Sequence, residues 1–203
     1  MRWATPSQDG PFLYASGVLN SLELLAVEAE SCTTCNLAEG RTNVVFGAGK
    51  PDADLMFVGE GPGAQEDRWG LPFVGRSGKL LDRLLDEELG IDRGSCYISN
   101  VVKCRPPENR DPRPSEIAAC QPYLEQQIQI IDPLVIVTLG NFSSKLLLET
   151  DTGITKLRGR AYPFRGRQLV PTFHPAAALR GGTDVLARMR SDMVRAKVLM
   201  GHV

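Results

Sequence analysis

Residues 55–63 read LMFVGEGPG: four apolar residues, Leu55 to Val58, run directly into the turn Gly59-Glu60-Gly61-Pro62-Gly63. A short apolar run without polar alternation suits a strand buried on both faces. The glycines after it let the backbone turn sharply and approach a ligand closely. The same pattern of an apolar run leading into a polar or glycine-rich segment recurs at Tyr97 to Val102, Leu134 to Leu139 and Leu169 to Phe173. Helical periodicity separates the first three runs, with Leu80, Leu81, Leu84, Leu85 and Leu89 after the first and Ile117 to Ile131 after the second; Phe142 to Leu148 follows the third. This alternation predicts an α/β fold built on a mainly parallel sheet covered on both faces. Ligands of such sheets bind beyond the carboxyl ends of the strands, so chemistry is expected in the segments that follow each run.

The chain has 203 residues, enough for one sizeable domain. Residues 1–17 mix Pro, Gly, Ser and aromatics without periodicity and read as a loosely held extension, leaving 18–203 as the domain. Leu19, Leu22, Leu24, Leu25 and Val27 predict a first helix ending near Cys32, and a last helix spans roughly Asp184 to Leu199. Neither a secretory signal nor an apolar stretch of membrane-spanning length is present, which makes the cytosol the expected compartment and a membrane role unexpected. A monomer is the default.

Formal net charge is -1, which excludes the bulk-basic signature of a protein that coats nucleic acid. A local basic stretch does exist: Lys156, Arg158, Arg160, Arg165 and Arg167, interleaved with Tyr162 and Phe164 and free of acidic residues. It reads equally as a solvated hairpin and as a phosphate-contacting surface.

Five cysteines in a reducing compartment point away from a disulfide framework. Cys32 and Cys35 form a C-x-x-C pair and Cys104 and Cys120 a wider one, together four thiolates that suit tetrahedral zinc or an iron–sulfur cluster. Cys96, inside an apolar run, reads as core. The turn at residues 59–63 matches neither the dinucleotide fingerprint nor the Walker pattern, so no nucleotide cofactor is indicated. Asn100 ends the second run, and its amide offers the acceptor and donors that read the edge of a pyrimidine. His174-Pro175 ends the fourth, which places His174 on the same sheet edge as Glu60 and Asn100.

Three long motifs, GEGPGAQEDRWGLPFVGRSGKLLD, ISNVVKCRPPENRDPRPSEIAAC and HPAAALR, together with the cysteine quartet, resemble the family 4 uracil-DNA glycosylases, the iron–sulfur branch of their superfamily. The similarity runs from about Cys32 to the C-terminal helix. It implies a single-domain, three-layer α/β/α fold with a central four-stranded, mainly parallel sheet, and a 4Fe-4S cluster on Cys32, Cys35, Cys104 and Cys120. It also implies an enzyme that flips uracil out of DNA, single- or double-stranded, and hydrolyses its N-glycosidic bond to leave an abasic site for base excision repair. Carried over residue by residue, Phe73 stacks on the flipped uracil, Asn100 bonds its Watson–Crick edge and His174 sits by its O2. Glu60 and Gly61 flank the attacking water, and Glu66 and Asn109 match further polar positions of the pocket. Leu179 and Arg180 are the candidates for the wedge into the base stack.

Chemistry agrees with that assignment, since a base within a duplex is beyond the reach of an active site until it is swung out. A donor aimed at uracil O2 stabilises charge that grows there in the transition state. One departure stands out: better-known uracil glycosylases carry an Asp near the water where this chain has Gly61. A related subclass binds uracil-DNA irreversibly through a basic insertion with a reactive His, but the segment from Cys104 to Cys120 is short and has no His, which favours turnover. The competing readings are a glycosylase for hypoxanthine or mismatched thymine, and a non-catalytic iron–sulfur DNA-binding or redox module.

Overall fold

The computed structural model describes residues 21–201. The extension assigned to residues 1–17, and Leu19 of the first helix, lie outside the described residues. In chain order the elements are α1 (Ser21–Glu30), α2 (Leu37–Gly40), β1 (Ala48–Gly49), β2 (Leu55–Gly59), α3 (Ala64–Trp69) and α4 (Arg76–Leu84). A π-helical turn at Leu85–Leu89 prolongs α4, and a 3-10 turn at Arg93–Ser95 leads into β3 (Tyr97–Asn100). Then come a 3-10 turn at Pro107–Asn109, α5 (Pro114–Ile131), β4 (Val135–Leu139), α6 (Asn141–Leu148) and α7 (Ile154–Leu157). β5 (Tyr162–Phe164), β6 (Arg167–Thr172) and α8 (Pro175–Leu199) complete the chain.

The sheet has six strands in the order β1-β3-β2-β4-β6-β5. Its four central strands are the predicted apolar runs, all parallel. The expectation of four strands is thus corrected by two short antiparallel edges, β1 on β3 and β5 on β6. Neither edge carries an apolar run: β1 is Ala48-Gly49, and β5 holds Pro163, tolerated at an edge because it donates no ladder hydrogen bond.

Every residue of β2 and β4 is buried, which follows from layers on both sides. Met56, Val58, Ile136 and Leu169 face the side covered by α1 and α5, with Leu22, Leu25, Leu124 and Ile128. Leu55, Phe57, Ile98, Val135, Val137 and Val170 face the other side, against Leu80, Leu81, Leu84 and Leu85 of the α4 region and Met189 and Met193 of α8. Cys96 belongs to this second core, and burial pushes its thiol up to about 12, as expected of an inert core cysteine.

The last helix starts at Pro175, not near Asp184, but Gly182 breaks it with φ 70° and ψ −157°, so its second half begins close to the expected place. The basic stretch 156–167 runs from the end of α7 through a loop into the β5–β6 hairpin. Within it Arg158 pairs with the buried Asp192 at 2.8 Å and Arg167 pairs with Asp132. No helix among the described residues is long and apolar enough to cross a membrane.

Candidate active site

Parallel register decides where the site forms. Gly59 at the end of β2 lies beside Asn100 at the end of β3, and β4 and β6 end beside each other, with Gly140 N–H bonded to the Thr172 carbonyl at 2.9 Å. The segments leaving these four ends surround a cleft of about 850 Å3, within the size range of small-molecule sites. All seven residues expected to act on a base line it: Glu60, Gly61, Glu66, Phe73, Asn100, Asn109 and His174.

Asn100 is 1% exposed, and its Oδ1 has no hydrogen-bond partner among the described residues. A buried amide oxygen without a donor is costly, and a native fold keeps one where a ligand supplies the donor. Its neighbourhood needs glycine. A Cβ on Gly59 would lie 2.4 Å from Asn100 Oδ1 and 2.6 Å from the Phe73 ring, so any side chain there displaces both groups. Asn100's own carbonyl accepts from the ammonium of Lys103 at 2.8 Å.

His174 caps α8, and its Nδ1 accepts from Ala176 N–H at 3.1 Å. That bond leaves the ring proton on Nε2, making the far edge of a neutral imidazole a donor. Burial first, then Arg180, lower the pKa to about 4, with Glu66 opposing, so the ring is uncharged at neutral pH. Its ring touches that of Phe73, with centroids 5.7 Å apart and planes inclined by 32°.

Glu60 is displaced in the opposite direction. Burial, and then the charge of Asp111, raise its carboxyl to about 7. The next residue, Gly61, is held against β3's continuation by Val102 N–H bonding to the Glu60 carbonyl at 3.1 Å, and a Cβ there would meet Val102 Cγ2 at 2.7 Å. Val102 therefore occupies the space an acidic side chain at position 61 would need.

Glu66 does not present a free carboxylate. Its Oε1 accepts from Val74 and Gly75 N–H at 3.0 and 2.9 Å and so fastens the loop that carries Phe73. Asn109 lies at the end of the 3-10 turn with φ 55°, and its Oδ1 accepts from Arg105 Nε at 2.8 Å. The cleft also includes residues the sequence reading passed over: Asp111, Gly140, Asn141 and Phe142. Gly140-Asn141 follows the third apolar run as Gly59-Glu60 follows the first, and that repetition was the available signal. Asp111 had none. Leu179 is 42% exposed beside Arg180, which lines the cleft.

A second cavity is lined by Cys32, Cys35, Cys104 and Cys120 together with Arg41 and Lys103. Among the described residues, however, no three Cys, His, Asp or Glu side chains converge as ligands of a single ion. Arg41 Nη1 lies 3.5 Å from Cys104 Sγ and donates to the Cys32 carbonyl at 2.6 Å, and Lys103 N–H points at Cys120 Sγ from 3.2 Å. Burial raises the Cys120 thiol to about 11, with Lys103 opposing, and burial likewise raises Cys104. Lys103 is buried, its ammonium donating to Ser99 Oγ, the Asn100 carbonyl and Gln127 Oε1, none of them a carboxylate.

The chain matches a family model described as the Uracil DNA glycosylase superfamily over residues 46–196. The chain is also similar to proteins named Type-4 uracil-DNA glycosylase. That of Sulfurisphaera tokodaii is 50% identical over 169 residues, 79% of this chain and 77% of that one. The one from Thermotoga maritima is 47% identical over 179 residues, 87% and 93% of the two chains, and that of Archaeoglobus fulgidus 41% identical over 169 residues, 79% and 84%. The chain belongs to the uracil DNA glycosylase superfamily and, within it, to the type-4 family.

Proposed function

We propose that this protein hydrolyses the N-glycosidic bond of uracil flipped out of DNA, leaving an abasic site, as the family and the cleft together support. The observation that carries the residue-level reading is the unpartnered Oδ1 of Asn100 at the buried end of the cleft. Uracil N3–H is the donor that oxygen lacks, and the same amide's NH2 suits uracil O4. Cytosine has no N3–H, so it leaves the oxygen unpaired, the strongest kind of discrimination a buried site achieves. Phe73 supplies an apolar wall.

As the bond to the sugar breaks, charge collects on the base. The Nε2–H of a neutral His174 stabilises that charge at O2 more than it stabilises the substrate. Glu60 and the backbone of Gly61 flank the water that attacks the oxocarbenium-like sugar. With its pKa near neutrality, Glu60 is suited to orient that water or accept its proton. No carboxylate at position 61 takes part, because Val102 fills its place.

The four cysteines fit a 4Fe-4S cluster. Four thiols around one cavity suit tetrahedral zinc or an iron–sulfur cluster alike, and the type-4 family favours the cluster. Two cations, Arg41 and Lys103, line that cavity as counterions for an anionic group. Held by Cys32, Cys35, Cys104 and Cys120, such a cluster would supply a rigid cross-link, tying the segment after α1 to the segment after β3 and to α5. Cysteines that serve as ligands and not in disulfides would suit a reducing compartment such as the cytosol.

The test is an end-labelled oligonucleotide carrying one uracil, beside its thymine counterpart, scored for alkali-labile breaks with the wild type and His174→Ala. Breaks confined to uracil and slowed about a hundredfold to a thousandfold in the variant support the assignment. Absence of breaks from protein with its brown cluster intact sinks it.

A further inference from the structure

Phe73 stands in a backbone conformation its residue type avoids. Its φ is 52°, in the left-handed region, where a bulky non-glycine residue persists only if its surroundings impose the geometry. Three neighbours impose it. Glu66 holds the N–H groups of Val74 and Gly75. Arg93, from the 3-10 turn before β3, donates through one nitrogen, Nη2, to the carbonyls of Pro72 at 2.8 Å and Phe73 at 2.7 Å. Gly78 of α4 presses against the Phe73 carbonyl so closely that a Cβ would lie 1.7 Å from its oxygen.

We propose that Arg93 is a positioning residue for base selection: its guanidinium pins the carbonyls of Pro72 and Phe73, and so fixes the apolar wall against which uracil is measured. Nothing in its position suggests direct contact with substrate, since it does not line the cleft. Its Nε sits 3.4 Å from Asp82 on α4, so the guanidinium links the α4 helix to the Phe73 loop. A planar fork anchored at one side by a carboxylate and at the other by two carbonyls is a geometry lysine cannot reproduce. The inference rests on reading the cleft as a uracil pocket. A wall excludes a substituent at uracil C5 only if it does not yield. A methyl-sized difference in an apolar pocket is worth about 10–200-fold when the pocket is stiff, and a loosened wall forfeits part of that.

Oligonucleotides carrying uracil, 5-fluorouracil or 5-bromouracil provide a graded series at C5. Bromine approaches a methyl group in size while making the base a better leaving group, so a disfavoured substrate still gives a measurable rate. Arg93→Met is expected to lower kcat/KM for uracil by roughly ten- to a hundredfold through misplacement of the wall. It should also narrow the preference for uracil over 5-bromouracil by about tenfold. Arg93→Lys should fall between Met and the wild type. Gly78→Ala, which displaces the same carbonyl without touching a charge, should narrow the preference in the same direction. Faster hydrogen exchange at the Val74 and Gly75 amides in folded Arg93→Met gives a readout that needs no catalysis. Rates that fall equally for all three bases, with exchange unchanged, overturn the positioning role. A wild type that releases none of the three bases would instead defeat the functional assignment, and the exchange measurement alone would then decide whether Arg93 holds the loop.

Discussion

Replacing Glu60 by Gln tests the carboxyl of the cleft whose ionisation straddles neutrality. With a pKa raised to about 7 by burial and by Asp111, about a tenth of it is ionised near pH 6 and about nine-tenths near pH 8. His174, lowered to about 4, stays neutral across that span and contributes no slope. If the carboxylate serves the attacking water, the wild-type single-turnover rate rises roughly ninefold between those two pH values. Glu60→Gln is then flat over the same range and about a hundredfold or more slower at the upper end. Asp111→Asn removes the neighbouring charge and moves the midpoint to lower pH. Rapid quench of single-stranded uracil DNA with enzyme in excess isolates the step. Stability carries the opposite sign: the folded pKa is raised above the unfolded 4.5, so folding loses stability as pH rises from about 4.5 through about 7. Glu60→Gln should therefore melt higher than wild type above pH 7, and the difference should vanish below about 4.5. A wild-type rate that is flat with pH, or a Gln variant that keeps both rate and slope, refutes the role given to Glu60.

The buried His174 has its folded pKa lowered to about 4, so the stability it contributes is present above about 6.5 and is lost as pH falls towards 4. His174→Gln should be less acid-sensitive in that window, read as the midpoint of urea unfolding against pH. Gly61→Asp drives a Cβ to 2.7 Å from Val102 Cγ2 and should cost about 1–3 kcal/mol of stability by overpacking. Adding Val102→Ala should recover part of that loss in the same denaturation assay, and a double variant no better than the single would show that Val102 is not the obstacle. Leu179, exposed beside the cleft, should matter for opening a base stack and not for chemistry. Leu179→Ala is expected to slow uracil release from duplex DNA by about tenfold or more while leaving single strands nearly unaffected, and equal losses on both would remove it as a wedge.

The central sheet was legible because both of its faces are covered, so β2 and β4 appear in the sequence as apolar runs, interrupted in β4 only by Thr138. The edges were not. Ala48-Gly49 is too short to carry a pattern, and β5 is three residues, Tyr162-Pro163-Phe164, set between Arg160 and Arg165 in a stretch whose charge reads as a surface hairpin. The site divides in the same way. Glu60, Asn100 and His174 each sit at or just past the end of a central strand, so one rule about strand ends finds them together. Asp111 and Arg93 follow no run and act on partners far away in sequence, on Glu60 and on the carbonyls of Pro72 and Phe73. Glu66 was visible as a polar residue near the pocket, but its grip on Val74 and Gly75 depends on a loop returning to α3. Such through-space partners leave no period for a sequence to show.

A single physical cause, burial at the cleft, acts on two of its titratable residues in opposite directions. Desolvation penalises whichever form is charged, so it raises the acid Glu60 to about 7 and lowers the base His174 to about 4. The neighbours reinforce each displacement: Asp111 adds a like charge beside Glu60, and Arg180 one beside His174. Reversing either neighbour would lessen the displacement without cancelling the larger effect of burial, since a positive residue at 111 favours ionised Glu60 and a negative one at 180 favours a proton on His174. With the neighbours as they stand, His174 is uncharged at neutral pH, the state the proposed role as a donor to the departing base requires. Glu60 is a carboxyl able to exist in both states. The proposed reaction would use those two properties at opposite ends of the breaking bond, and the ends of parallel strands β2 and β6, two strands apart with β4 between them, carry the two residues on one sheet edge.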